Sequence, residues 1–145
     1  MGRILFSLPR HRSFNALKSF YLRSKGAKVG RNVVFYPRVR IDMPLDLLTI
    51  GDDVDLALGV AIVLEGSLSI GDRTLIGYKA RIVQSSNEKS TFIDKDVWIG
   101  AGCEIHNGIS IGEGAVVAGG SLLATNVEPF TIVGGKPAKF IKQRN

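Results

Sequence analysis

Aliphatic residues recur at every sixth position along most of this chain. The longest run is Ile93, Ile99, Ile105, Ile111, Val117 and Leu123. Shorter runs are Ile70, Ile76, Ile82 and Ile50, Leu56, Ile62, with a weaker start at Val29, Phe35, Ile41. A period of six matches neither the 3.6-residue repeat of an amphipathic helix nor the simple alternation of a half-buried strand. It fits a coil with flat faces, each one hexapeptide long, in which the aliphatic residue points into a narrow prism and stacks on its equivalents above and below. Gly follows the aliphatic residue at Gly30, Gly51, Gly71, Gly77, Gly100 and Gly112, where the chain nears a corner and unusual backbone angles are expected. The position four after the aliphatic is small or β-branched: Thr74, Ala80, Ser86, Val97, Cys103, Ala115, Ser121 and Val127. The pattern predicts an all-β parallel helix of about five coils, with neighbouring coils ~4.8 Å apart.

Breaks in the period place the loops. Ile41 and Ile50 are separated by a segment containing Pro44, and Ile62 and Ile70 by a shorter one. The interval from Ile82 to Ile93 holds one hexapeptide and an insertion, expected at about residues 88–92. Loops on a rigid scaffold are where function concentrates. Before residue 29 the pattern turns helical. Phe14, Leu17, Phe20, Tyr21 and Ser24 share one face, Ser13 is a candidate N-cap and Gly26 a candidate stop. A short helix over 14–24 is therefore expected to cover the open end of the prism, since solenoid ends expose apolar surface and unpaired strand edges. The chain divides into a basic N-terminal segment with its capping helix, 1–28, and a β-helix with a closing loop, 29–142.

Charge sharpens this division. The first 40 residues hold ten Lys or Arg and no acid, while the remainder holds nine bases against thirteen acids. Two readings stand for the basic segment: a solvated surface, or peripheral contact with an anionic membrane face. No zinc-finger spacing or aromatic–basic pattern points to nucleic acid. The Ile4-Leu5-Phe6 run ends at Pro9, too short for a secretory signal, and the single Cys103 cannot form an internal disulfide. Both features lead to a cytoplasmic expectation.

Three segments carry a family likeness: Ile99-Gly100-Ala101-Gly102, preceded by Trp98; Ala118-Gly119-Gly120-Ser121; and Val133-Gly134-Gly135-Lys136-Pro137-Ala138-Lys139. Over roughly residues 29–142 the chain resembles the hexapeptide-repeat acyltransferases. The resemblance implies a left-handed parallel β-helix, whereas the general preference for right-handed crossovers would give the other hand. It also implies a homotrimer, an acetyl-CoA donor, and an acceptor of sugar type in surface polysaccharide synthesis. Ala101, Ala118, Gly119, Gly120, Lys136, Pro137 and Lys139 would then contact CoA. The glycines would admit a ligand close to the main chain, and Lys136, Lys139, Lys142 and Arg144 would face phosphate. Solvated lysines on a chain turned by Gly and Pro are the other reading.

Members of that family activate the acceptor with a His near the loop after the Ile82 coil, often in Asp-x-His. Here the segment reads Gln84-Ser85-Ser86-Asn87-Glu88-Lys89-Ser90, with Asn87 and Lys89 at those places, and a protonated lysine is a poor base at neutral pH. His11 lies in the basic segment and reads as a surface residue. His106 follows the inward Ile105, shares a column with Val83 and Ala124, and is the first candidate base, with a surface or subunit-contact histidine as the alternative. Glu88 is the second candidate. Gln84, Ser85, Asn87 and Asn107 are candidate acceptor contacts. Cys103 sits at a small-residue position and reads as structural. Two histidines far apart do not make a three-histidine zinc site, so no metal is expected. The chain is accordingly expected to transfer an acetyl or similar group from acyl-CoA to a hydroxyl or amine. A β-helix that binds without catalysis, having lost the loop histidine, is the alternative.

Overall fold

The computed structural model describes residues 12–144; His11 lies outside them. The chain winds through three sheets in turn, adding one strand to each per coil. The first sheet contains β1 (Lys28–Val29), β4 (Leu48–Ile50), β7 (Ser67–Ile70), β10 (Ser90–Ile93) and β13 (Ser110–Ile111). The second contains β2 (Val34–Phe35), β5 (Asp55–Leu56), β8 (Leu75–Ile76), β11 (Trp98–Ile99), β14 (Val116–Val117), β16 (Thr131–Gly134) and β17 (Lys139–Gln143). The third contains β3 (Arg40–Asp42), β6 (Ala61–Val63), β9 (Arg81–Val83), β12 (Glu104–His106) and β15 (Leu122–Leu123). All neighbours are parallel except β17, which folds back antiparallel on β16 as a closing hairpin.

The register follows the six-residue period. Ile105 pairs with Ile82 and Leu123, Ile99 with Ile76 and Val117, and Ile93 with Ile70 and Ile111. These side chains are almost wholly buried and form three columns, one per sheet, of a single continuous core. Thr74, Ala80, Val97, Cys103, Ala115 and Ser121 are buried beside it. Ser86 is the exception at its position because the chain has already left the prism there. Val127 departs from its expected place. The last coil is shortened, and Val127 bridges Ile111 as an aliphatic of the first sheet.

The corners use glycine for a reason other than the expected one. Left-handed backbone falls three residues after the inward aliphatic, at Asn32, Asp53, Arg73, Lys79, Asp96, Gly102, Gly108 and Gly120. The glycine directly after the aliphatic is needed for close approach between coils. A Cβ on Gly77 would sit 2.7 Å from the Ile99 carbonyl oxygen and 2.8 Å from the Ala101 nitrogen, distances that no side chain tolerates against backbone.

The helix α1 (Arg12–Ser24) starts earlier than expected, so Ser13 lies within it instead of capping it. Its buried face also differs. Lys18, Ser19 and Leu22 are buried, while Leu17 and Phe20 are 49% and 66% exposed. The cause is the free edge of β2. Asn15 Oδ1 accepts from Phe35 N at 3.0 Å, and Lys18 Nζ donates to Phe35 O at 2.8 Å. Two polar side chains thus satisfy the groups that a preceding strand would satisfy. Burial lowers the Lys18 ammonium below the usual lysine range.

The three breaks in the period all fall at one corner, between the third sheet and the first. They are the stretch with the 3₁₀ turn Leu45–Leu47, the turn before Ser67, and the loop from Gln84 to Lys89. The insertion therefore precedes the expected residues 88–92. Ser90, Thr91 and Phe92 belong to β10, where Thr91 pairs with Leu68 and is buried.

Ile105 and Ile111 are wholly buried between coils, so Ile105→Asp or Ile111→Asp should abolish the folded state. Ile→Ala at either position should cost about 2–5 kcal/mol. Urea titration followed by circular dichroism measures both; wild-type melting of an Asp variant would contradict the register.

Candidate active site

The insertions stacked at the corner between the third sheet and the first line a partly open cavity of about 690 Å³. Gln84, Asn87 and Glu88 line it, as does Lys89, and earlier coils contribute Leu47, Glu65 and Ser67. The period breaks at Ile41 and Ile62 signalled those earlier contributions, but only the stacking of coils shows that they meet the loop.

Asn107, 6% exposed, holds the loop in place. Its Oδ1 accepts from Ser85 N at 2.8 Å and Ser86 N at 3.2 Å. Its Nδ2 donates to Ser86 O at 3.2 Å and Glu88 O at 2.8 Å. The four hydrogen-bonding positions of the amide are thereby used on loop backbone. Gln84 fastens the other side, accepting from Glu65 N at 3.0 Å and donating to Ser86 O at 2.7 Å. Gly108 completes the seat. Its φ is +79°, and a Cβ there would fall 2.7 Å from Glu88 Cγ. The loop therefore folds back over residues 107–108, one coil beyond its exit, and the candidate bases His106 and Glu88 belong to adjoining parts of one corner.

His106 is partly buried on the outer side of β12. Its Nε2 lies 2.9 Å from Glu104 Oε2, and Glu104 Oε1 accepts from Arg81 Nη1 at 3.0 Å. A carboxylate only accepts, so Nε2 carries the proton in the neutral ring, and the lone pair resides on Nδ1. The Glu104 carboxyl is held below the usual glutamate range by its hydrogen bond with His106 and, more weakly, by the charges of Arg81, His106 and Lys136, against a desolvation that raises it. Glu104 and Arg81 escape a reading by motif. They stand two residues and one coil from His106, and only the β12–β9 register joins them.

The corner at the other edge of the third sheet carries the residues considered for the acyl donor. Ala101, Gly119 and Gly120 are exposed, and Gly120 N donates to Ala101 O at 2.8 Å. A Cβ on Gly120, or on Gly102 one coil earlier, would meet nothing within 4 Å. This strip is bare main chain open to the outside. The Ala118 carbonyl is occupied, accepting from Ser121 Oγ at 2.6 Å and Cys103 Sγ at 3.1 Å. Burial raises the Cys103 thiol, which fits a structural cysteine. The closing loop docks beside the strip, with Leu122 N donating to Gly135 O and Ala138 N to Leu122 O. Lys136, Pro137 and Lys139 are exposed there, and Lys142 on β17 pairs with Ile132. Arg144 is engaged elsewhere, donating to Gly114 O at 2.8 Å. Among the described residues no group of three or more His, Cys, Asp or Glu is arranged to hold a metal ion.

The coil of hexapeptides is flanked by a loop-built cavity on one side and a glycine-bare corner on the other. Residues 90–125 match the family described as bacterial transferase hexapeptide (six repeats), and the chain resembles the hexapeptide-repeat acyltransferases in sequence and in fold. It is 56% identical over 54 residues to a chloramphenicol acetyltransferase of Escherichia coli, a match covering 37% of this chain and 26% of that protein's length. It is 28% identical over 137 residues to the Escherichia coli (strain K12) protein named "Putative colanic acid biosynthesis acetyltransferase WcaF", covering 88% of this chain and 75% of that one. A Vibrio cholerae hexapeptide-repeat containing acetyltransferase, solved in complex with acetyl coenzyme A, superposes with a TM-score of 0.85 at 24% identity, covering 99% of this chain and 84% of that one. That likeness shows the fold, a left-handed parallel β-helix.

Asn107→Ala should release the loop. Stability is expected to fall by roughly 1–3 kcal/mol, the cost of leaving buried partners unmatched, and amide exchange should accelerate at Ser85 and Ser86. Unchanged exchange at those amides would show that the loop is held by other means.

Proposed function

We propose that the protein transfers an acetyl or similar acyl group from acyl-CoA to a hydroxyl or amine of a sugar-like acceptor. The observation that carries the reading is the arrangement across the third sheet: a bare glycine corner on one edge, a polar loop-built cavity on the other, and His106 paired to a carboxylate between them. The acetyl coenzyme A held by the Vibrio cholerae protein and the colanic acid biosynthesis for which WcaF is named favour acetyl-CoA as donor and a polysaccharide acceptor. The main chain at Ala101, Ala118, Gly119 and Gly120 would lie along the pantetheine arm, and Lys136, Pro137 and Lys139 would border its phosphates. Gln84, Ser85 and Asn87 would meet the acceptor, with Asn107 acting through the loop it holds.

In this scheme Nδ1 of His106 takes the proton of the acceptor hydroxyl as its oxygen bonds to the thioester carbonyl carbon. The tetrahedral oxyanion then collapses, the C–S bond breaks, and the CoA thiolate leaves to be protonated. Glu104 stabilises the imidazolium and keeps Nε2 protonated beforehand. Glu88, on the loop beside Gly108, is the alternative base.

The assembly proposed is a homotrimer. The outer face of the second sheet presents a row of Leu75, Trp98, Val116 and Ile132 in register, and a prism this thin gains core by burying such a face. We further propose a cytoplasmic location, and contact between the basic N-terminal segment and an anionic membrane face.

Acetyl-CoA at about a hundredfold excess over its Kd should stabilise the protein by about 2.7 kcal/mol in a thermal-shift measurement. His106→Ala should then lower acyl transfer roughly 10²- to 10⁴-fold without loss of folding, with Glu88→Gln and Lys89→Ala run beside it. Near-normal turnover of His106→Ala would move the base to the loop. Donor binding without turnover by the wild type would favour a non-catalytic protein. Light scattering should give a trimer mass that Trp98→Glu reduces; a monomeric wild type would refute the assembly.

A further inference from the structure

The capping helix has a mixed inward face: Leu22 is buried in the core, while Asn15 and Lys18 bond to the backbone of Phe35. Its outward face carries Leu17, 49% exposed, and Phe20, 66% exposed, which stand three residues apart and are therefore neighbours on one side of the helix. Large apolar side chains on a surface helix ordinarily turn toward the core, and here the free edge of β2 claims two inward positions, beside Leu22, for polar groups.

The surroundings of this apolar pair are cationic. The first helical turn contains no acid, and the last carries Arg23, followed by exposed Lys25 and Lys28. In sequence, residues 1–40 hold ten bases and no acid. Acids in the first helical turn are generally favourable to the helix dipole, so their absence is a cost to the helix and a benefit against a negative surface. Asp52 accepts from Arg31 N at 2.8 Å and Asp53 Oδ1 accepts from Asn32 Nδ2 at 3.3 Å, and the acid beside the helix end, exposed Asp46 next to Gly26, stands against Arg23, Lys25 and Lys28. An apolar ridge within a basic field matches the two-part chemistry of a lipid bilayer with anionic headgroups, in which apolar side chains enter the acyl boundary and cations remain among the headgroups.

We infer that the outward face of α1, through Leu17 and Phe20, inserts into the interface of an anionic membrane, so that the prism stands with its N-terminal end on the lipid. This rests on the proposed membrane contact of the basic segment and adds the apolar component that gives that contact a defined orientation.

The test is co-sedimentation of the full chain with vesicles of phosphatidylcholine, with and without phosphatidylglycerol. Binding is expected only to the anionic vesicles and should weaken with salt. Leu17→Ser with Phe20→Ser should lower it by about tenfold or more, because two buried apolar side chains are lost. Phe20→Leu should retain it. Melting is compared throughout, and Phe20→Ser alone, at the more exposed position, gives the same reading if the double variant melts early. Binding that survives the Ser substitutions unchanged would overturn the insertion and leave a purely electrostatic contact of the basic segment. Absence of binding to anionic vesicles would overturn both. A change of oligomeric mass on substitution, without vesicle binding, would assign the face to a second copy of the chain and overturn the inference.

Discussion

Everything in this molecule depends on the contact between successive coils. Each coil hydrogen-bonds through its backbone to the next, and the narrow interior is filled by the stacked inward aliphatics with only small or aliphatic side chains beside them. A core so narrow has no second layer to absorb an error. A residue of wrong size, or a Cβ on the glycine that follows the aliphatic, meets main chain of the adjoining coil directly. The six-residue period is the mark of this constraint, because only a repeat of fixed length returns each inward side chain to its column.

The same constraint decides where irregularity is allowed. Extra residues cannot be accommodated within a face without shifting the column, so they leave at a corner. In this chain they leave at one corner in three successive coils. Stacking turns three modest insertions into a single cavity. The following coil has no insertion, and its corner residues Asn107 and Gly108 become the seat on which the longest loop rests. The rigid scaffold supplies position and the loop supplies polar groups, which is the division of labour a binding site requires.

The ends of the coil raise a different problem, since a parallel sheet that stops leaves donors and acceptors without partners. The two ends are closed differently. At the C-terminal end β17 folds back on β16 as an antiparallel strand. At the N-terminal end a helix delivers Asn15 and Lys18 to the edge residue Phe35. The amide and ammonium act as substitutes for backbone groups, and their inward placement leaves Leu17 and Phe20 outside while Leu22 is still buried. The orientation of α1 thus serves the backbone polarity of the strand edge together with the burial of one apolar side chain.

The sequence by itself determined the register of the prism. Ile82, Ile105 and Leu123 share a column, as the period requires, and most of the small residues four after an inward aliphatic, Thr74, Ala80, Val97, Cys103, Ala115 and Ser121, are buried. It also determined that the chain leaves the prism between Ile82 and Ile93, and that a helix precedes the coils. These are properties of short-range spacing, and spacing is written directly in the chain. Three features waited on the tertiary structure. The loop proved to be Gln84–Lys89 because Ser90–Ile93 found pairing with β7. The helix turned Asn15 and Lys18 inward beside Leu22 because of a strand edge about twenty residues away. The link from Arg81 through Glu104 to His106 arose from pairing between β9 and β12. Each depends on which backbone group lies across from which in the neighbouring coil, and a contact between coils is invisible to a pattern read along only one of them.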